Sequence, residues 1–157
     1  HFDPSNAARR DLVGVGADHG HKQLGLEAGV QHHATPVDQQ QRVAGAKIAL
    51  YYSDGDSVEE LPGGRRAIGD KRIGEYSNTQ VALQAGRTFY LTTDGFLDQA
   101  GGELGYGFGN SRFAEMIRVH ARRPLVEQGE AFSDVLADYQ GDYAQRDDIT
   151  MLCFRFD

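Results

Sequence analysis

Several features that mark specialised classes of protein are scarce in this sequence. Cys153 is the only cysteine, so no internal disulfide can form and a disulfide-stapled scaffold is excluded. No stretch approaches the roughly 18 consecutive apolar residues of a membrane-spanning helix. The first residues are polar and interrupted by Pro4, unlike a signal peptide. We therefore expect a cytoplasmic domain that makes no membrane contact.

Basic charge is scarce as well. The formal net charge is −7 and the isoelectric point is near 5.3, whereas nucleic-acid binders usually carry a basic face, so we expect no nucleic-acid partner. Histidine and cysteine do not occur with the spacing of a zinc site. The glycine-rich stretch 99–109 lacks the Gly-Lys-Ser/Thr of a nucleotide-binding phosphate loop. An acidic surplus suits carboxylates around a metal ion, although it is more often a solvated surface.

The length of 157 residues indicates one domain. Residues 1–23 show little hydrophobic periodicity, and we expect them to form an irregular leader before a domain that covers residues 24–157. The side chains of Asp18, His19 and His21 can be interpreted as metal ligands, but a polar loop is the favoured interpretation.

Hydrophobic periodicity predicts the elements of that domain. The Asp-Gly pair of Ser53-Asp-Gly-Asp56 indicates a hairpin turn, and we expect a β-meander over residues 24–61. Helical spacing follows a cap at Asn110 or Ser111, and a second helix runs from Pro124 to Gly141. Segregated strands and helices indicate an α+β fold, with helices on a mostly antiparallel sheet. The predicted strands lie at 24–31, 40–52, 58–61, 88–93 and 149–156, and a further short strand begins at residue 81.

Acidic residues stand at the ends of two of these strands. Asp94 and Gly95 follow the strand at 88–93, and Asp147 and Asp148 precede the last strand. A carboxylate at the end of a buried strand is costly to keep charged unless a positive group lies beside it. We predict that the two strands are neighbours and that Asp94 and Asp147 bind one cation, with Asp148 and Gly95 in the same metal site. Oxygen ligands favour Mg²⁺ or Mn²⁺, and glycine allows the backbone to approach closely. Each motif alone is more often a turn or a cap.

A basic loop lies between the two halves of the predicted sheet. It contains Arg65, Arg66, Lys71 and Arg72. Two interpretations remain open: a solvated loop, which is the more common case, and a flap that binds the phosphate of a substrate beside the acidic metal centre.

The acidic motifs resemble those of a known family. Leu91-Thr-Thr-Asp-Gly-Phe-Leu-Asp98 resembles the TDG motif of the metal-dependent protein phosphatases (PPM, protein phosphatase 2C-like), and Arg146-Asp-Asp-Ile-Thr-Met-Leu152 resembles their terminal DD-I-T strand. The bacterial branch named for stage II sporulation protein E is the most similar. The resemblance covers residues 24–157 and extends to Leu26–Val30, Ala44-Gly45, Ile68–Arg72 and Phe108-Gly109.

This resemblance implies a fold and an activity. The fold is a β-sandwich of antiparallel sheets flanked by helix pairs. Two Mn²⁺ or Mg²⁺ ions hold a hydroxide that attacks the phosphorus of a phosphoserine or phosphothreonine, and Asp94 and Asp147 ligate the same ion. The implied substrates are small regulatory phosphoproteins of the anti-sigma-factor-antagonist type.

One part of the family pattern is not found. The first metal motif of the family, an Asp followed by Gly-His-Gly, is missing, so we expect residues 24–157 to form the C-terminal part of a phosphatase domain. Two alternatives stay open. The first is a non-catalytic member of the fold that binds a phosphoprotein or forms a homodimer. The second is an unrelated α+β binding module whose acids are turn and cap residues.

Overall fold

The computed structural model describes residues 10–17, 40–43, 48–67, 71–72 and 75–156, and for 10–17 and 40–43 it describes the backbone. The elements in chain order are β1 (Arg10–Ala17), β2 (Gln40–Val43), β3 (Leu50–Ser53), β4 (Val58–Leu61), β5 (Thr79–Ala82), β6 (Thr88–Thr92), α1 (Asp94–Asp98), β7 (Ala100–Gly101), β8 (Tyr106–Gly107), α2 (Gly109–His120), α3 (Leu125–Gln140) and β9 (Ile149–Phe156). The main sheet has five strands in the order β1-β9-β6-β3-β4, and every neighbouring pair is antiparallel.

The strands β6 and β9 form the centre of the main sheet. They pair antiparallel, with Tyr90 opposite Cys153 and Thr92 opposite Met151. Because successive side chains of a strand point to opposite faces, Tyr90 and Cys153 lie on one face while Phe89 and Phe154 lie on the other. Both faces of the centre of the sheet therefore carry apolar residues, which explains the nearly continuous apolar sequence of these strands.

The helix pair covers one face of the main sheet. Tyr51 and Tyr90 of the sheet pack in one buried cluster with Phe113 and Ile117 of α2 and Phe132 of α3. Apolar residues at helical spacing place these side chains on one stripe of each helix, as the sequence pattern predicted.

A buried glutamine joins the helix pair to the sheet. The side-chain amide of Gln128 donates to the carbonyls of Ala121 and Arg123, just beyond the end of α2, at 3.1 and 2.7 Å. Its oxygen accepts a hydrogen bond of 2.9 Å from the hydroxyl of Tyr90. Gln128 is fully buried, so these bonds satisfy polar groups that water cannot reach.

A second layer lies on the opposite face of the main sheet. The strands β2 and β5 form a two-stranded antiparallel sheet, and Val81 of β5 packs in a second buried cluster with Leu50 and Phe89. Two antiparallel sheets with a helix pair on one side confirm the predicted α+β class. Among the helices of the described part, none combines the length and the apolar character that crossing a membrane requires.

Two predictions about the first half of the chain are wrong. Residues 10–17, expected to be irregular, form β1, which pairs along its whole length with β9. The single strand expected from 40 to 52 is divided: 40–43 pairs with β5, whereas 50–53 pairs with β4 and β6. The hairpin predicted at Ser53–Asp56 is confirmed, because 50–53 pairs with 58–61. The preceding part of the predicted meander fails, because alternation identifies strands but carries no information about pairing partners. The strand expected at 24–31 lies outside the described residues.

Two local predictions after the central strand also need correction. The turn expected at Asp94-Gly95 is the start of the short helix α1, which is held by the burial of Phe96 against the rings of Phe108 and Phe113. Helix α2 begins at Gly109, and no side chain caps it. Because a five-residue helix is too short to be stable alone, tertiary packing decides its presence.

Candidate metal centre

Asp94, Asp147 and Asp148 lie at one edge of the main sheet. The strand β6 ends at Thr92 and β9 begins at Ile149, and these strands pair antiparallel with Thr92 opposite Met151. The residues that follow β6 and those that precede β9 therefore meet at the same edge. This confirms that the two strands are neighbours; joint binding of one cation by Asp94 and Asp147 stays a prediction.

Thr93 joins the two acidic segments. Its amide donates to the carbonyl of Thr150 at 3.0 Å. Its hydroxyl donates to the carbonyl of Asp148 at 3.0 Å and accepts from the amide of Thr150 at 3.1 Å. Thr93 stands at the cap position of α1, yet its side chain makes no capping bond. The hydroxyl therefore holds the first residue of α1 against the start of β9 instead of capping the helix.

Gly95 brings the backbone of α1 into direct contact with the backbone of Asp147 and Asp148, which we call the acid pair. A Cβ atom added at Gly95 would lie 2.3 Å from the carbonyl oxygen of Asp148 and 3.3 Å from the carbonyl carbon of Asp147. Only glycine permits this approach, and positive φ is not the reason. Gly95 thus allows a close approach of the backbone that precedes β9, and its place in a metal site stays a prediction.

The three carboxylates differ in their surroundings. Asp147 is exposed, and one of its carboxylate oxygens accepts from the amide of Asp148 at 2.8 Å. Asp94 and Asp148 are half-buried. Among the described residues, no donor forms a hydrogen bond with the carboxylate of Asp94 or Asp148. Two partly buried carboxylates without protein donors are suited to bind a cation, because their charge is otherwise uncompensated.

Gln99 forms hydrogen bonds that link two segments at the same edge. It is fully buried, and its side-chain amide donates to the carbonyls of Ala100 and Ala144 at 3.0 and 3.2 Å. Ala144 belongs to the loop that leads from α3 to the acid pair. Gln99 therefore connects the helix that begins with Asp94 to the segment that carries Asp147 and Asp148.

The donor set of this edge fits a hard divalent cation in kind. Carboxylate oxygens suit Mg²⁺ or Mn²⁺, and Mg²⁺ usually keeps several waters and binds only one or two carboxylates. Within the residues that the structure describes, no three His, Cys, Asp or Glu side chains form a metal-binding group. Asp94, Asp147 and Asp148, all of them described, therefore do not together form such a group, and their binding of a cation stays a prediction.

The end of β1 also leads to this edge. Its last residue, Ala17, pairs with Ile149, the first residue of β9, and Asp18 follows in the sequence. Asp18, His19 and His21 lie outside the described residues, so their assignment to a polar loop stays a prediction.

The basic loop begins at the same end of the sheet. It follows β4, whose last residue Leu61 pairs with Leu50 at the start of β3. Because β4 lies two strands from β6, the loop leaves the sheet about 10 Å from the acidic edge. Within the loop, Arg66 is half-buried, and Arg65, Lys71 and Arg72 are exposed. Their role in phosphate binding stays a prediction.

Two residues that organise the edge were missed in the sequence. Thr93 was noted only as a letter of the TDG motif, and Gln99 only as the start of a loop. A threonine directly before a short helix is typical of an N-cap. The sequence therefore predicts capping of α1 by Thr93 rather than the observed hydrogen bonds to Asp148 and Thr150. Gln99 is a polar residue between two apolar segments, and nothing in the sequence indicates that it is buried.

Comparison with known proteins identifies the family. The sequence profile described as Stage II sporulation protein E (SpoIIE) matches residues 35–157. The SiaA-PP2C domain of Pseudomonas aeruginosa is 64% identical, with a TM-score of 0.70, over 76% of this chain and 47% of that structure. Among curated proteins, no match is found.

More distant structures share the fold. The PP2C phosphatase domain of SpoIIE from Bacillus subtilis, solved with a fragment of its regulatory domain, is 16% identical, with a TM-score of 0.59, over 76% of this chain and 35% of that structure. The RsbU and RsbW domains of Rv1364c from Mycobacterium tuberculosis are 18% identical, with the same TM-score, over 76% and 33%. This chain thus spans less than half of each structure. The predicted family is confirmed: the chain belongs to the SpoIIE family, whose members carry PP2C-type phosphatase domains.

Proposed function

We propose that the chain forms part of a metal-dependent phosphatase domain that hydrolyses phosphoserine or phosphothreonine on a regulatory phosphoprotein. The observation that carries the proposal is the meeting of Asp94 with Asp147 and Asp148 at one edge of the main sheet, fixed by Thr93. Membership of the SpoIIE family and the 64% identity to a PP2C domain support it.

The residues of the edge have distinct roles in this proposal. Asp94 and Asp147 would hold Mn²⁺ or Mg²⁺, with Asp148 beside them, and such an ion supplies an activated water and neutralises phosphoryl oxygens. Thr93 and Gln99 keep the two acidic segments at a fixed separation. Hydrolysis forms a bond from the water oxygen to phosphorus and breaks the ester bond, so that phosphate and the free hydroxyl of the serine or threonine result.

The basic loop completes the proposed site. Phosphate esters carry negative charge, and arginine binds them through two parallel hydrogen bonds. We assign Arg65, Arg66, Lys71 and Arg72 to the phosphate-binding side because their loop starts from the same end of the sheet as the acids. The substrate of this proposal is a phosphorylated protein of the anti-sigma-factor-antagonist type, in the reducing cytoplasm that suits a free, buried Cys153.

Mn²⁺ binding tests the role of the acids. Calorimetry should detect binding to the parent chain and at least tenfold weaker binding to Asp94→Asn, which keeps the size of the side chain but removes its charge. Release of phosphate from a phosphoserine peptide should fall in parallel. Asp134→Asn is the matched control, because Asp134 is an exposed aspartate on α3. Equal Mn²⁺ affinity and equal activity in Asp94→Asn and the parent would reject the proposal.

One observation favours a second candidate function. Because the described residues contain no group of three metal-binding side chains, the chain could act as a non-catalytic phosphatase fold that binds a phosphoprotein or dimerises. Absence of Mn²⁺ binding to the parent, together with retained binding of a phosphoserine peptide, would select this candidate. Weaker Mn²⁺ binding in Asp18→Asn would instead favour catalysis, since Asp18 follows the strand that ends at this edge.

A further inference from the structure

A small hairpin beside the candidate metal centre exposes large apolar side chains. The strands β7 and β8 are joined by the turn 102–105. Leu104 at this turn is 73% exposed and Tyr106 is 67% exposed. The two residues are two positions apart on the same hairpin, and exposed apolar residues that lie together can mark an interaction site. We call Leu104 and Tyr106 the hairpin patch.

The hairpin is fixed to the end of α3. The carbonyl of Tyr139 accepts a hydrogen bond of 2.8 Å from the amide of Gly102, and the hydroxyl of Tyr139 donates to the carbonyls of Tyr106 and Gly107 at 3.0 and 3.2 Å. A Cβ atom at Gly101 would lie 2.0 Å from the Tyr139 carbonyl oxygen. Because its backbone is held at several points, the hairpin presents its patch with little loss of freedom on binding.

The hairpin also touches both segments that carry the acids. A Cβ atom at Gly107 would lie 3.0 Å from the carbonyl oxygen of Leu97. Leu97 is three residues after Asp94, or about 4.5 Å along the axis of α1. On its other side, the position of a Cβ atom at Gly105 is 2.9 Å from the ring of Tyr143, in the loop that leads to Asp147. The hairpin therefore contacts the C-terminal end of α1, which begins with Asp94, and the loop that leads to Asp147.

Negative charge predominates around the patch. Asp98, Glu103 and Asp142 are exposed beside it. The guanidinium of Arg112 reaches the hairpin, but it stacks 4.8 Å from the centre of the Tyr139 ring and donates to the carbonyl of Phe108 at 3.1 Å. An aromatic ring and a carbonyl do not neutralise the charge of Arg112, so three carboxylates face one guanidinium around the patch. The net negative charge complements an apolar residue with basic neighbours.

We propose that the hairpin patch docks the residues that flank the phosphorylated serine or threonine of the substrate, and that it selects an apolar residue accompanied by lysine or arginine. This inference rests on the proposed function, because it takes the acidic edge as the place where the phosphate binds. The patch would set the affinity for the substrate protein, and the acids would set the rate of the chemical step.

Fluorescent phosphoserine peptides test the docking directly. One peptide carries leucine and arginine beside the phosphoserine, and its twin carries glycine and glutamate. Fluorescence polarisation should show about tenfold tighter binding of the first peptide, the effect of one well-packed apolar anchor. The Leu104→Ser/Tyr106→Ser double variant should lose this preference. The Val119→Ser/Val126→Ser control, which changes two residues on the helix pair that are 56% and 61% exposed, should keep it.

The remaining outcomes separate the two proposals. A peptide preference that depends on the patch, without any phosphate release, would leave the docking site standing and reject the catalytic role. Hydrolysis of p-nitrophenyl phosphate with equal affinity for both peptides would reject the docking site alone. A change from dimer to monomer in the double variant, measured by light scattering, would also overturn it, because the patch would then contact a second copy of the chain.

Discussion

Replacement of Gly95 by alanine should disrupt the acidic edge although it improves local helix propensity. Gly95 is the second residue of α1, where alanine is normally favoured by about 1 kcal/mol. The added Cβ would lie 2.3 Å from the carbonyl oxygen of Asp148, about 1 Å closer than carbon–oxygen contacts in proteins allow. The obstacle is backbone rather than the end of a flexible side chain, so α1 and the start of β9 must separate.

The magnitude follows from these opposing terms. Forcing an additional methyl group into packed structure costs about 1 to 3 kcal/mol. Separation also lengthens the hydrogen bond from the hydroxyl of Thr93 to the Asp148 carbonyl, worth about 1 kcal/mol. The propensity gain offsets only part of this, and we expect a net loss near 2 kcal/mol. For a domain of this size, that corresponds to a fall in the melting temperature of roughly 4 to 8 °C.

Thermal unfolding and calorimetry with Mn²⁺ measure the two consequences separately. Gly101→Ala is the matched control, because its Cβ would meet the backbone carbonyl of Tyr139 in α3 at 2.0 Å rather than the backbone of Asp147 and Asp148. Both variants should lose stability, but only Gly95→Ala should lose Mn²⁺ affinity, by about tenfold. A Gly95→Ala variant with the melting temperature and the Mn²⁺ affinity of the parent would refute our account of this contact.

Two further predictions concern the central strands. Thr93→Val should lower the free energy of unfolding by about 1 to 2 kcal/mol, because it removes the hydroxyl that bonds Asp148 and Thr150, and it should also weaken Mn²⁺ binding. Thr93→Ser keeps the hydroxyl and should preserve both the stability and the Mn²⁺ affinity. Equal behaviour of the two variants would contradict the role of the hydroxyl. Burial raises the pKa of Cys153 to about 12, so the folded chain keeps its proton where the unfolded chain loses it. Stability should therefore fall as pH rises from about 9 to 12. Urea unfolding should show a smaller decline in Cys153→Ala, and an equal decline in both chains would count against the raised pKa.

The sequence predicted well those elements in which the spacing of apolar residues alone determines which face is buried. The strand Ile149–Phe156 was predicted with its observed bounds. The helix pair was predicted because apolar residues recur at a spacing that can face only one neighbour. By contrast, the division of the stretch from 40 to 52 between two sheets depends on which strand each half meets. That choice is made by residues far away in the chain.

The candidate site was predicted in part for a similar reason. Aspartates at the ends of two apolar strands are visible in the sequence, and their resemblance to the TDG and DD-I-T motifs pointed to the family. The contribution of β1 was not predicted, because the apolar residues of Arg10–Ala17 alternate with glycines, which disfavour strands, and two charged residues begin the run. Its strand conformation is decided by hydrogen bonds to β9, a partner at the other end of the chain.

By itself, the sequence determined the family, the α+β class and the acids worth testing, since these depend on residue type and on short-range spacing. Only the tertiary structure decided that β1 pairs with β9, that Thr93 bonds to Asp148 rather than capping α1, and that Gly95 must lack a side chain. The physical reason is distance along the chain: hydrogen bonds and steric contacts between remote segments leave no periodic trace in the sequence.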